Sequence, residues 1–259
     1  ACGLVMATAT GLVLIGGIKS IARFCEILVP FMIVSYLFGC GIILVMYWGR
    51  IPGAFALILS DAFSGQAVAG GGLGAVIAAG VKRGLFSNES GLGSAPIAAA
   101  AARTQNPAQQ ALVSMTGTFW DTVVVCLVTG LVLVVTGAWN SGHENAAMTS
   151  YAFGKIPHIG SLLLTLGLIA FVFSTLIGWS YYGEKSLEYL GGLRLVPVYR
   201  WLWVLAIFLG ATFPSSLVIN FSDSANALMA IPNLISLLLL SGLVARESKA
   251  WLSSPTPFE

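Results

Sequence analysis

Apolar residues run along this chain in blocks long enough to cross a bilayer, broken by short polar connections. A spanning helix needs about 17–25 mostly apolar residues. The sequence offers seven such blocks: 1–17, 27–48, 66–81, 112–139, 159–182, 201–220 and 225–245. All read as helices, because nothing follows the alternating ten-residue pattern of a membrane barrel. The first block is marginal, and the chain starts directly inside it at Ala1. An N-terminally truncated fragment of a single transmembrane domain, 1–259, is therefore the expectation.

Glycine and proline mark where these spans depart from plain anchors. Pro30 opens the second span, where a first-turn proline is tolerated. Pro214 and Pro232 fall inside the last two and are expected to kink them or end a half-helix. Gly70, Gly71, Gly72 and Gly74 crowd the third span. Each glycine in a helix interior costs about 1 kcal/mol relative to alanine, so a regular helix is disfavoured there. Two readings stand side by side: small residues for close helix packing, or a broken helix lining a binding site near the bilayer midplane. A basic pair, Lys82 and Arg83, and a polar block, SNES at 87–90, follow within a few turns.

Composition settles the class. The chain is 57% hydrophobic and 8% charged, with a mean hydropathy of +0.91. A soluble domain carries about 25% charge, so this is an integral membrane protein. The net charge of +2 comes from few, scattered basic residues and gives no reason to expect nucleic acid. Their distribution is informative instead. With the first connection cytoplasmic, Lys19, Arg23, Lys82, Arg83, Arg103, Lys185, Arg194, Arg200, Arg246 and Lys249 fall on one side, leaving Arg50 and Lys155 on the other. That bias predicts a multi-pass protein of the cell membrane with a cytoplasmic C-terminus. The outer loop 140–160 is expected to hold a short helix on the surface and two solvated histidines, His143 and His158. The four cysteines lie far apart with no CxxC pair, which predicts buried thiols without metal or redox roles.

Enzyme templates are missing. HExxH, GxSxG and a Walker loop do not occur, and the glycines at 70–74 and 91–93 miss GxGxxG spacing. The expectation is a non-enzyme.

Three ordered motifs are more specific. KRGLFSNESGLGSAP (82–96), GTFWDT (117–122) and FVFSTLIGWSYYGE (171–184) resemble the signatures of the alanine/glycine:cation symporters, the sodium:alanine symporter family. Ser90 replaces the alanine usual in the first motif. The resemblance implies membership of the amino acid–polyamine–cation superfamily and a fold similar to that of the bacterial leucine transporter, with two inverted five-helix repeats. The seven spans then look like core helices four to ten, with the N-terminal helices missing. It implies symport of Na⁺, or H⁺, with alanine or glycine, and no cofactor beyond the coupling ion. A transporter of another small solute in the same superfamily, or a non-transporting membrane amino-acid sensor, is the alternative.

The same resemblance assigns roles to residues. Backbone carbonyls of Gly70, Gly71 and Gly72 would meet the substrate ammonium, with Leu73 and Val76 lining the side-chain pocket. Ser174 and Thr175 match the paired hydroxyls that coordinate sodium, Thr175 also standing beside substrate; back-bonding to the preceding helical turn is their plain alternative. Trp179, on the same helix face as Thr175, would cap a small amino acid or else anchor the span at the interface. Asp121 is an intramembrane carboxylate, a functional candidate by default, which could instead pair with a cation such as Arg83. Asn88 and Glu89 are candidates for gating or helix packing at the cytoplasmic mouth.

Overall fold

A computed structural model describes residues 2–15, 17–62, 73–104 and 106–253, and of residues 15, 17–20, 22 and 73–79 the backbone alone. The described chain is helical throughout, with no strand among the described residues. In order, the helices are α1 (Cys2–Ile15), α2 (Gly17–Met46), α3 (Ile51–Ala62), α4 (Leu73–Asn88), α5 (Ala95–Ala99) and α6 (Pro107–Thr118). A π-helical segment, Phe119–Cys126, leads into α7 (Leu127–Val135), followed by α8 (Asn145–Phe153), α9 (Gly160–Gly191), α10 (Val196–Gly210) and α11 (Ser215–Leu252). Five stretches are long and apolar enough to cross a membrane: Arg23–Met46, Pro107–Val135, Gly160–Gly191, Leu193–Gly210 and Ser215–Leu252.

The seven expected spans are thus met by five among the described residues, and several boundaries move. The first block forms α1, an apolar helix of 14 residues, about 21 Å long at 1.5 Å per residue. The third lies partly outside the described residues. Its described part, α4, continues through the basic pair to Asn88. Pro30 sits inside α2 rather than at its start, because the helix begins at Gly17. The break expected near 221–224 falls at 211–214, where Pro214 adopts an extended conformation (ψ 135°) and α10 has already ended. The polar run 220–226 that suggested a break stays helical: Asp223, its one charged residue, receives Lys82 at 2.7 Å and Arg83 at 3.7 Å. α11 also runs unbroken through Pro232.

The chain divides into two compact units. Unit 1 comprises residues 1–76 and 125–212. Its centre is α2 against α9, running antiparallel, so that Ile21 packs with Ile177 while Ile43 shares a cluster with Leu164. α1 lies along α10 through small residues: a Cβ on Gly3 would come 2.6 Å from that of Ala211, and one on Gly11 would touch Val204. Between them Ala7 is also buried, giving a small residue every fourth position, the spacing that lets membrane helices approach closely.

The larger core gathers Cys40, Ile43, Val132, Val135 and Phe153 at one end of unit 1. Phe153 is fully buried and stacks on Tyr36, with ring centroids 5.6 Å apart. The helix expected in loop 140–160 is therefore present as α8, but its last residues are core rather than surface. Tyr36 closes the cluster by sharing a hydrogen bond with Thr129 at 2.8 Å. Arg50, stacked over Tyr47 and donating to the Val135 carbonyl, and Lys155 mark this end. Arg23, Lys185 and Arg200 lie toward the opposite end, near the Leu14–Ile21–Ile177 cluster.

Of the cysteines, Cys40 alone is buried; Cys2 and Cys126 are exposed and Cys25 is intermediate. An apolar run does not imply burial in protein, because lipid accepts the same side chains. Unit 2 comprises residues 77–124 and 213–259. Its helix α6 starts with Asn106, whose side chain accepts from the Ala108 amide at 2.9 Å, and Pro107 in the first turn.

Candidate functional site

α9 carries Ser174 and Thr175, the two hydroxyls that the family resemblance assigns to sodium. Its uninterrupted 32 residues place Ser174, Thr175 and Trp179 within about two turns of one another. Ser174 Oγ donates to the Phe171 carbonyl at 2.9 Å and also lies 4.0 Å from Met32 Sδ. In this state its hydroxyl is spent on the preceding turn, the plain alternative weighed above. Thr175 is exposed, and Trp179 is half-buried, edge-to-face with Tyr182 at 5.8 Å. A hydroxyl can swing from a helical carbonyl to a hard cation at little cost, so the back-bond is compatible with an ion ligand. Gly70, Gly71 and Gly72 lie outside the described residues, as do the side chains of Leu73 and Val76.

Further along α9, sequence reasoning passed over an ion pair. Arg200 of α10 donates Nε to Glu184 Oε2 at 2.8 Å and Nη2 to Oε1 at 3.0 Å, a bidentate fork. Glu184 is only 8% exposed. Beside it, a Cβ on Gly183 would collide with the Tyr199 hydroxyl, so glycine at this position lets α10 close onto α9. The signal was present in the third motif, whose YYGE ending puts a glycine and an acid where an apolar helix needs neither.

Unit 2 holds the remaining candidates. α4 ends at Asn88, and Glu89 takes a left-handed conformation (φ 56°), followed by Gly91 (φ 83°) and Gly93 (φ 91°). The SNESGLGS segment is therefore a tight turn. Asn88 holds it by accepting the Ser90 amide at 2.9 Å and donating Nδ2 to Thr122 Oγ1 at 2.9 Å. The Glu89 carboxylate accepts a short hydrogen bond from the fully buried Ser94. Asp121 sits in the π-helical segment, an irregularity often found at functional sites, and accepts Ser87 Oγ at 3.0 and 2.8 Å. Arg83, considered above as its partner, turns to Asp223 instead. Ser87 and Thr122 lie inside the first and second motifs but were not singled out from sequence, since neither motif says which of its residues meet.

Comparison with known proteins agrees along the whole chain. The model of the sodium:alanine symporter family matches residues 1–256. A sodium/alanine symporter, AgcS, of Methanococcus maripaludis is 51% identical over 253 residues, covering 96% of this chain and 56% of the relative. An uncharacterized transporter of Haemophilus influenzae is 45% identical, covering 95% and 56%. A probable sodium/glutamine symporter, GlnT, of Bacillus subtilis is 37% identical, covering 93% and 51%. The chain spans about half the length of the curated relatives it matches.

Proposed function

This chain belongs to the sodium:alanine symporter family, and on that premise we propose that it serves Na⁺-coupled uptake of alanine or glycine across the cell membrane. The observation that carries the reading is the 51% identity to a sodium/alanine symporter over nearly the whole chain. The spans are assigned to core helices four to ten of a leucine-transporter-like bundle. Ser174 and Thr175 are assigned to the ion, and the glycines 70–72 with Leu73, Val76 and Trp179 to the amino acid. Coupling needs no covalent step. Ion and substrate each bind one conformation better than the other, and binding either therefore favours binding its partner.

The test is Na⁺-dependent uptake of labelled alanine into proteoliposomes holding the full-length protein. Thr175→Ala is expected to raise the half-activating Na⁺ concentration by about tenfold, the scale of one lost ligand to a charged group. Because Thr175 is exposed, thermal stability is expected to hold within about 0.5 kcal/mol. An unchanged activation curve removes Thr175 from the ion site. The relative named for glutamine favours a second reading, a larger amino acid as substrate. Inhibition of alanine uptake by glutamine more potent than by glycine would establish it. Loss of Na⁺-driven uptake, with amino-acid binding retained, would favour a sensor.

The ten-to-two bias of basic residues supports a cytoplasmic C-terminus. A cysteine placed at 145 is expected to react with an impermeant maleimide in intact cells, and one at 103 only after permeabilisation. The opposite pattern reverses the topology.

A further inference from the structure

The part of α9 that carries Ser174 and Thr175 is gripped from one side. At about 100° per residue, Phe173, Leu176, Ile177 and Gly183 share that side, and Ser174 and Thr175 lie on the other. Phe173 meets Phe24 of α2 edge-on, with ring centroids 5.0 Å apart. Ile177 is fully buried in the cluster with Leu14 and Ile21. From α10, the Tyr199 hydroxyl abuts Gly183, and the Tyr199 ring lies 5.9 Å from that of Trp203, one turn on. Trp203, half-buried, donates its indole Nε1–H to the Leu176 carbonyl at 3.2 Å.

Of these contacts the indole hydrogen bond is the directional one. Ring and aliphatic packing has no preferred angle, whereas an N–H donor weakens steeply as it leaves the line to its acceptor. The Leu176 carbonyl has two lone pairs, so it accepts the indole beside its own helical donor. Turning α9 by about 10° would carry a hydroxyl oxygen about 5 Å from the axis through about 1 Å. A binding constellation tolerates about 0.5 Å. The Arg200–Glu184 fork also ties α10 to α9, but it acts about 12 Å further along the axis. The indole acts on the residue that follows Thr175.

We propose that Trp203 is a positioning residue for ion coupling: through the Leu176 carbonyl it sets the rotation of α9, and with it where Ser174 and Thr175 stand. This rests on the assignment of those two hydroxyls to Na⁺ above.

The test is Na⁺ activation of labelled alanine uptake in proteoliposomes holding the full-length protein. Trp203→Phe keeps an aromatic ring and removes the donor. It is expected to raise the half-activating Na⁺ concentration by about three- to tenfold, the scale of one neutral hydrogen bond, and to keep uptake at saturating Na⁺. A role in packing alone would instead lower maximal uptake, by loss of folded carrier, without moving the curve. Combined with Thr175→Ala, Trp203→Phe is expected to raise the concentration by less than the product of the single effects, because the ligand it displaces is already gone. Trp201→Phe, which removes an exposed indole from the same helix, is expected to leave the curve in place. Benzothienylalanine at position 203 keeps the bicyclic shape and removes only the N–H, which keeps the test decisive if Trp203→Phe fails to fold. A curve unmoved by loss of the N–H, or moved equally by Trp201→Phe, overturns the positioning role and leaves symport standing. Fully multiplicative effects in the double variant also overturn it, since Trp203 would then not act through Thr175. Uptake that ignores Na⁺ in the wild type rejects the symport reading, and the proposal with it.

Discussion

Arg200→Met is expected to destabilise the protein by about 3–5 kcal/mol, the cost of leaving a buried charge without its partner. The carboxylate left behind is that of Glu184, 8% exposed and held by two short hydrogen bonds from the guanidinium. Glu184→Leu strands the opposite charge. It is expected to cost less, because the Arg200 side chain is 28% exposed and can reach water. The double variant, Glu184→Leu with Arg200→Met, is expected to be more stable than Arg200→Met alone, since an apolar pair of similar volume removes both desolvation penalties. Thermal unfolding of the four detergent-purified proteins, read as a double-mutant cycle, measures the coupling. A melting temperature unchanged by Arg200→Met would mean that the pair is solvated and contributes little.

Phe153→Ala carries the second large effect, about 3–5 kcal/mol by loss of a fully buried aromatic ring and the cavity it leaves. The ring fits where it does because position 39 is glycine: a Cβ there would stand 2.5 Å from Phe153 Cε1. Gly39→Val should therefore damage the same contact from the α2 side, by overpacking rather than by a void. Phe153→Leu, which refills part of the volume, is expected to fall between wild type and alanine. Since Phe153 ends α8 and stacks on Tyr36, its loss is also expected to speed proteolysis of the 140–160 connection. A loss below about 1 kcal/mol would show that the cluster collapses around the gap.

The candidate site was legible to unequal degrees. Ser174, Thr175 and Trp179 could be marked because a motif carries them together on one helix. Asp121 could be marked because a carboxylate in an apolar block is conspicuous without any partner. Its contact with Ser87 and that of Thr122 with Asn88 could not, since each joins two motifs 34 positions apart and neither motif names its partner. The alternative that Asp121 pairs with a cation such as Arg83 is not met for the same reason. Competition from Asp223, some 140 residues away in sequence, is invisible until the chain folds.

By itself the sequence determined the membrane class, the helical secondary structure and the family. Hydropathy is a local sum and motifs are local strings, and neither needs to know what a segment packs against. Tertiary structure decided where helices end and which charges they tolerate. The polar run 220–226 stays helical because Asp223 is neutralised by Lys82 and Arg83, while the real break comes at Pro214, whose backbone leaves the helix. Glu184 stays buried because Arg200 reaches it from the next helix. Tertiary structure also decided which apolar faces meet protein. Lipid is as apolar as a core, so Cys2 and Cys40 look alike in the sequence and only the packing of α2 separates them.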